Sequence, residues 1–391
     1  MALPLKGLRV IDLTQDFAGP FCTMILSDLG AEVIKIERPG SGDETRTWGP
    51  PFVKTLSYYF LSLNRGKKSV TLDLKTSAAQ KVIRQLVQDS DILVESFRPG
   101  TLSRYRLDYP RLRRVNKALV YCSISGFGQT GPYRDRPGYD IVAFAMSGIM
   151  STTGEKGRPS IRVSVPVADI AAGHYASTAI LACLSRRLVT GRGDYIDISL
   201  YDSIVSWLSY LATYYFATGK EPERMGSAHL SIVPYQAFNC KDRELIIAVG
   251  NDQQFQRLCR SLGLERLSEE RRFSTNPQRV RNRQQLVPIL SRRLKGQSAA
   301  YWNELLNQNG VPSAPVYKIA DVSRDPQVKD RGLFKKARSG ISEMTSPIKF
   351  LKREKRFSSP PPTLGQDTAQ VLRELGYSRH AINRIIGNKA G

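Results

Sequence analysis

Short apolar runs alternate with helical patterns over the first 125 residues, and that alternation limits the fold more than any other feature of this 391-residue chain. Leu8–Leu13 reads as a short buried strand. Gly19-Pro20 opens an apolar helix pattern that runs through Met24 to Leu29 and is closed by Gly30. Glu32–Ile36 reads as a second strand and Ser69–Leu74 as a third, followed by a helix over Ser77–Gln88. Asp91–Val94 and Ala118–Ile124 read as the fourth and fifth strands. Strand–helix–strand repetition with compact apolar strands predicts a parallel α/β sheet.

Two longer helix patterns follow, Asp169–Val189 and Asp202–Thr218. The turn Gly191-Arg192-Gly193 and a strand over Tyr195–Leu200 lie between them. The texture changes near Gly226. Pro234–Phe238 and Leu245–Val249 form a hairpin pattern joined by Lys241-Asp242-Arg243. Helical segments follow at Gln253–Leu262, Arg283–Leu294 and Ala300–Asn309, the last ended by Gly310 and Pro312. The chain is too long for one ordinary core. Its expected parts are a large α/β domain over 1–225, a smaller α+β domain over 226–325, and a C-terminal segment over 326–391. In that segment Pro360-Pro361-Pro362 precedes a helix pattern at Thr368–Leu375.

Lys and Arg outnumber Asp and Glu by 58 to 35, a formal charge of +23. Such a field attracts nucleic acid, anionic membranes or phosphorylated cofactors. The densest stretches are Arg111–Lys117, Arg279–Arg283 and Lys349–Arg356, and they read as solvated surface. They lack interleaved aromatics, and no zinc-finger or RRM signature accompanies them. A nucleic-acid-binding module is therefore the weaker reading. No uninterrupted apolar run reaches membrane-spanning length; Ile204–Ala217 comes nearest and contains Ser, Thr and Tyr. Five scattered Cys without a CxxC pair and three dispersed His suggest neither a disulfide framework nor a metal centre, and fit a reducing compartment. The N-terminal residues run straight into a strand pattern without signal-peptide character. The expected location is the cytoplasm, or the mitochondrial matrix if a presequence has been removed.

Gly126-Phe127-Gly128-Gln129-Thr130-Gly131 follows a strand, but Pro132 ends any immediate helix, which argues against a nicotinamide site. P-loop, nucleophile-elbow and HExxH patterns are absent. Asp169, in Pro166-Val167-Ala168-Asp169-Ile170-Ala171-Ala172-Gly173, stands alone before a long apolar helix pattern. Asp there is most simply an N-cap. The sharper reading is a covalent nucleophile, with the helix N-terminus helping to keep the carboxylate ionised.

Ordered blocks across nearly the whole chain resemble the class III CoA-transferases, the CaiB/BaiF family. They include GLRVIDLTQDFAGPFCTMILSDLGAEVIKIERPGSGD (7–43), LNRGKKSVTLDLK (63–75), VESFRPGTL (94–102), SISGFGQTGP (123–132), RPGYD (136–140), VPVADIAAG (165–173), GNDQQF (250–255) and GVPSAPV (310–316). Within the family, RTWGPPFV (46–53) and SAHLSIVPYQAF (227–238) are most similar to the succinyl-CoA:glutarate subgroup.

The resemblance implies a large Rossmann-like domain assembled from both chain ends, a small middle domain and an interlocked homodimer. It implies transfer of CoA from an acyl-CoA, succinyl-CoA in the favoured case, to a free dicarboxylic acid such as glutarate. The CoA thioester is substrate, with no permanent cofactor and no metal. Asp169 would be the nucleophile. Gln15 and Ala18 would border the thioester. Arg38, Leu72, Lys75, Ser96, Phe97, Arg104, Arg136 and Tyr139 would contact CoA, which gives the basic charge a use. Gly250 would lie on a mobile loop over the site.

Arg46 and Arg224 are the candidates for a dicarboxylate's remote carboxylate, with His229 adding polar contacts. Ser96 stands where the family often has Asn. α-Methylacyl-CoA racemases of the same fold family use a His at the position of Tyr139, and Tyr is a poor base near neutral pH. The racemase reading therefore ranks below the transferase.

Overall fold

The computed structural model describes residues 2–53, 55–336, 341–350 and 359–387. The chain divides into two compact units. The first comprises Met1–Ile149, Arg162–Ser209 and Arg331–Gly391; the second comprises Met150–Ile161 and Tyr210–Asp330.

The first unit is built on six parallel strands: β1 (Arg9–Leu13), β2 (Glu32–Glu37), β3 (Lys67–Thr71), β4 (Ile92–Glu95), β5 (Val120–Ser125) and β6 (Tyr195–Ser199). Their spatial order is 3-2-1-4-5-6. Ile11 of β1 pairs with Ile34 on one side and Leu93 on the other, and all three are buried. This is the order of a doubly wound dinucleotide-type sheet, in which ligands bind beyond the carboxyl ends of the strands where the order reverses. Here the reversal lies between β1 and β4.

Helix α1 (Ala18–Asp28) follows β1, and α2 (Ser77–Gln88) follows β3. The Thr76 hydroxyl accepts the Ala79 N–H at 3.2 Å and caps α2, which buries Ala79, Val82, Ile83, Leu86 and Val87. That spacing is the apolar stripe of an amphipathic helix on a sheet.

The edge strand β3 is covered by residues from far along the chain. The Asp367 carboxylate accepts the Ser69 N–H at 2.8 Å, the Thr368 hydroxyl accepts the Thr71 N–H at 3.0 Å, and the Asp367 N–H reaches the Ser69 carbonyl at 2.9 Å. An open sheet edge is thereby closed.

The second unit holds an antiparallel sheet of β7 (Tyr235–Asn239), β8 (Glu244–Ala248) and β9 (Ser313–Pro315). Phe238, Leu245, Phe255, Leu258, Leu290 and Trp302 belong to its core. In the basic stretch Arg279–Arg283, Arg281 is exposed as expected but Arg279 is not solvated surface. Arg279 is buried, with Nη2 2.8 Å from an Asp252 oxygen, Nε donating to the Val233 carbonyl at 2.7 Å, and its guanidinium over the Phe255 ring. Most of the stretch Lys349–Arg356 lies outside the described residues.

The helix expected over Asp202–Thr218 is interrupted. Leu200–Val205 and Tyr210–Thr218 are separate helices, with Ser209 between them at φ 47°. The division between the two units falls at the same point, and no Gly or Pro marks it in the sequence.

Candidate active site

Asp169 sits in the first turn of α4 (Val167–Thr190), a helix that follows α3 (Asp140–Met146) in the first unit. α4 is long and apolar enough to cross a membrane by length and composition alone. Its small face packs against α1 instead. A Cβ at Gly173 would come within 2.8 Å of the Ala18 carbonyl, so glycine there lets α4 reach the backbone at the start of α1. That close approach sets Asp169 beside the loop Gln15–Ala18. Asp169 does not cap its helix. The cap comes from a different element: the Asp140 carboxylate accepts the Ala168 N–H at 2.8 Å.

Backbone also meets backbone at Gly126 and Gly138, where a Cβ on Gly126 would lie 2.7 Å from the Gly138 Cα. The glycine-rich stretch after β5 thus brings Tyr139 and Asp140 over the end of the sheet.

The result is a cavity of about 240 Å³ beyond the ends of β1, β4 and β5. Gln15, Ala18, Ser96, Tyr139 and Asp169, all named from the sequence, line it together. Ser96 accepts the Gln15 N–H at 3.0 Å and ties the β1 and β4 loops across the switch point. Trp48, Tyr59 and Phe17 form an aromatic wall, with Tyr59 4.9 Å from Trp48 and 5.9 Å from Phe17 between ring centres.

A second, smaller cavity of about 90 Å³ shares Gln15 with the first, and Arg38, Leu72, Lys75 and Phe97 line it. Two cations thus converge there with apolar side chains. Arg104 is exposed at the end of the short helix Thr101–Arg104, and Arg136 lies over the Tyr133 ring at 3.8 Å. Neither lines either cavity.

The electrostatics of the first cavity are unusual. Burial, followed by repulsion from Asp140 and Asp16, pushes the Asp169 carboxyl up to about 8. The helix N-terminus was expected to favour the charged form; desolvation and two like charges win instead. Asp16 is raised to about 6 by burial, with Asp43 and Glu44 adding to the shift and Lys35 opposing it. Its backbone has φ 66°, and its Oδ1 is buried without a hydrogen-bond partner. Burial and the three carboxylates Asp169, Asp140 and Asp16 keep the Tyr59 phenol well above its ordinary range, so it stays an O–H donor.

A buried ionic frame fixes the loop beneath. Asp12 accepts the Thr14 N–H at 2.9 Å, the Thr14 hydroxyl at 2.5 Å and the Thr23 hydroxyl at 2.7 Å. Lys67 Nζ lies 3.0 Å from Asp12 and also reaches the Pro20 carbonyl and the Asn64 side chain. Lys35 Nζ lies 2.8 Å from Asp43 and 2.7 Å from the Thr14 carbonyl. Burial alone would raise Asp12, but the two lysines and two hydroxyls more than offset it and hold the carboxyl far below its ordinary range.

Arg46 has a different place from the one expected. Its Nε and Nη2 each lie 2.7 Å from a Glu37 oxygen, its Nη1 donates to the Pro362 carbonyl, and its guanidinium covers the Phe60 ring at 3.7 Å. It is 8% exposed, so the fold holds it away from solvent. Arg224, His229 and Gly250 belong to the second unit. Arg224 donates to the carbonyls of Ser151 and Arg158. His229 Nδ1 accepts the Ser231 N–H at 3.0 Å, and its ring stacks on Tyr210. Gly250 is exposed, and its N–H donates to the Gln254 side chain at 2.7 Å.

Sequence reasoning missed Asp16, Trp48, Tyr59 and Arg162, all of which line the larger cavity. Trp48 lay inside a block already singled out; Arg162 had no local signal.

Residues 5–368 match the model of a family described as CoA-transferase family III. Human succinyl-CoA:glutarate CoA-transferase is 43% identical over 388 residues, covering 98% of this chain and 89% of that protein. A succinate–glutarate CoA-transferase of Agrobacterium fabrum is 41% identical over 387 residues, covering 95% and 96%. The crystal structure of a CaiB/BaiF family protein from Brucella suis superposes with a TM-score of 0.86 at 42% identity, covering 96% of this chain and all of that one.

Proposed function

The chain belongs to CoA-transferase family III and is a CoA-transferase, and from that premise we propose that it carries CoA from succinyl-CoA to glutarate through covalent intermediates on Asp169. The observation that carries this reading is the position of Asp169, a half-buried carboxyl walled by aromatic rings at the sheet's switch point. The substrate pair is supported by the names of the relatives at 41–44% identity.

An Asp169 oxygen attacks the thioester carbonyl of succinyl-CoA. The C–S bond breaks, giving a succinyl–aspartyl anhydride and the CoA thiolate. The thiolate then attacks the aspartyl carbonyl, releasing succinate and leaving an aspartyl-CoA thioester. A glutarate carboxylate attacks that thioester, and the thiolate returns to the glutaryl carbonyl. The products are glutaryl-CoA and free Asp169. Each step conserves the acyl activation, so water must stay out. Trp48, Tyr59 and Phe17 serve that purpose. Tyr59, which lines the cavity and keeps its proton, supplies an O–H donor for charge developing on the reacting oxygens.

Arg38 and Lys75 take the phosphates of CoA, and Leu72 and Phe97 its adenine end, so that CoA runs past Gln15 from the smaller cavity into the larger. The working form is a homodimer, a proposal supported by exposed apolar side chains at Ile141, Val142 and Met146. Light scattering on the eluting protein tests it.

Incubating the protein with succinyl-CoA and glutarate, with mass detection of acyl-CoAs, tests the reaction. Glutaryl-CoA and succinate should appear in equal amounts, and intact-protein mass should show a CoA adduct on Asp169. Absence of any new thioester across a panel of dicarboxylic acids sinks the proposal.

The pH profile offers a separate check. With its pKa at about 8, Asp169 in the free enzyme is roughly one-tenth ionised at pH 7, so kcat/KM should rise with pH up to that value. Asp16→Asn removes one of the two repelling carboxylates. The Asp169 pKa must fall, and the acid limb of the profile should move to lower pH by roughly half a unit. An unchanged limb would show that Asp16 does not act on Asp169 through charge.

A further inference from the structure

We propose that Arg162 binds the remote carboxylate of the dicarboxylic substrates and so sets the enzyme's preference for diacids. This rests on the reaction proposed above.

The cavity at Asp169 is lined by three carboxyl groups, those of Asp16, Asp140 and Asp169. An acceptor with two carboxylates brings further negative charge into partly desolvated space. One of its carboxylates must approach Asp169. The other needs a cation, because an unpaired charge in such a place is expensive. Among the described residues, Arg162 is the one Arg or Lys that lines this cavity. Arg46 does not line this cavity; it is buried, bound bidentately to Glu37 and also held by the Pro362 carbonyl.

The Arg162 side chain is available. It is exposed, and its hydrogen bonds go to carbonyls of its own segment: Nε to Val163 at 3.2 Å and Nη2 to Ser164 at 3.4 Å. Both are long and solvent-accessible, so exchanging them for a charged acceptor is favourable. Its charge already reaches Asp140, which it stabilises in the ionised form. The residue stands four positions before Pro166, where α4 begins and presents Asp169. A planar guanidinium there can take a carboxylate with two parallel N–H donors.

The ping-pong order adds a consequence. Donor acid and acceptor acid occupy the same place in turn, so one cation serves the free carboxylate of succinyl-CoA and the remote carboxylate of glutarate alike.

The test compares Arg162→Gln and Arg162→Lys with the unaltered enzyme, using glutarate and the monoacid pentanoate as acceptors. Loss of a charge-assisted pair should lower kcat/KM for glutarate by about tenfold to a hundredfold in Arg162→Gln. Pentanoate should be unaffected or improved, with partial recovery for glutarate in Arg162→Lys. Equal losses for both acids would assign Arg162 to general architecture or to CoA and overturn the proposal, as would unchanged selectivity. Calorimetric titration of glutarate in the presence of CoA separates this from the reaction itself. Glutarate binding that depends on Arg162, without CoA transfer, would uphold the anchor and reject the reaction. Transfer to glutarate with full selectivity in Arg162→Gln would do the reverse.

Discussion

Asp169→Asn should abolish CoA exchange, with a loss of about ten-thousandfold or more, while the protein becomes more resistant to heat at pH 8. The first effect follows from removing the oxygen proposed to form both covalent intermediates, since an amide in its place is no nucleophile toward a thioester. The second follows from the raised pKa. An Asp with an ordinary value of 3.8 and a folded-state value of about 8 is protonated in both states at low pH and neutral in its effect there. As pH rises through that interval the unfolded carboxyl loses its proton first, so the folded state is increasingly disfavoured. Asparagine removes that burden and should raise the melting temperature near pH 8, with little change near pH 4. A variant that loses activity and also loses stability at pH 8 would mean that Asp169 supports the fold, against the reading of a functional strain.

Asp12→Asn should destabilise the first unit by about 3–5 kcal/mol, because it leaves the fully buried Lys67 ammonium without its countercharge. Denaturant unfolding should show a lower midpoint at an unchanged slope. Asp12→Asn combined with Lys67→Met should recover part of the loss, since removing both members of a buried pair is less harmful than removing one. The same variant should slow turnover. Asp12 holds the backbone of Thr14, which leads directly into Gln15 and Asp16 at the cavity wall. A double variant no more stable than the single one would place the energy of this frame elsewhere than in the Asp12–Lys67 pair.

Much of this architecture was legible in the amino-acid order. The periodic runs located every strand of the large sheet and the long helix bearing Asp169. The third strand was read two residues late, starting at Ser69 where it begins at Lys67. A lysine ordinarily marks a solvated position, and nothing local reveals that Lys67 faces Asp12 from 55 residues away. The break at Ser209 has no local mark for a related reason: the apolar pattern continues across it, and the break coincides with the change of unit.

Gln15, Ala18, Ser96, Tyr139 and Asp169 were named from family blocks, and all five line one cavity. Which arginine remains free did not come that way. Arg46 and Arg162 look alike in sequence, and only the fold shows that Glu37 occupies the first and that the second lines the cavity. The sign of the Asp169 shift was equally hidden. A helix terminus is visible in sequence, whereas the opposing carboxylates of Asp16 and Asp140 reach it only through tertiary structure.

The closure of β3 by residues 365–368 bears on how the chain is made. On the ribosome, the nascent polypeptide exposes the open edge of Lys67–Thr71 for almost the whole of translation, since its partners are nearly three hundred residues downstream. Residues 210–330 have all emerged before those partners do, so the second unit can mature first although it starts later. The first unit is therefore the last to be sealed. A stop codon ahead of residue 365 would leave Asp169 intact and the sheet edge bare, a product destined for chaperones and proteases rather than for metabolism.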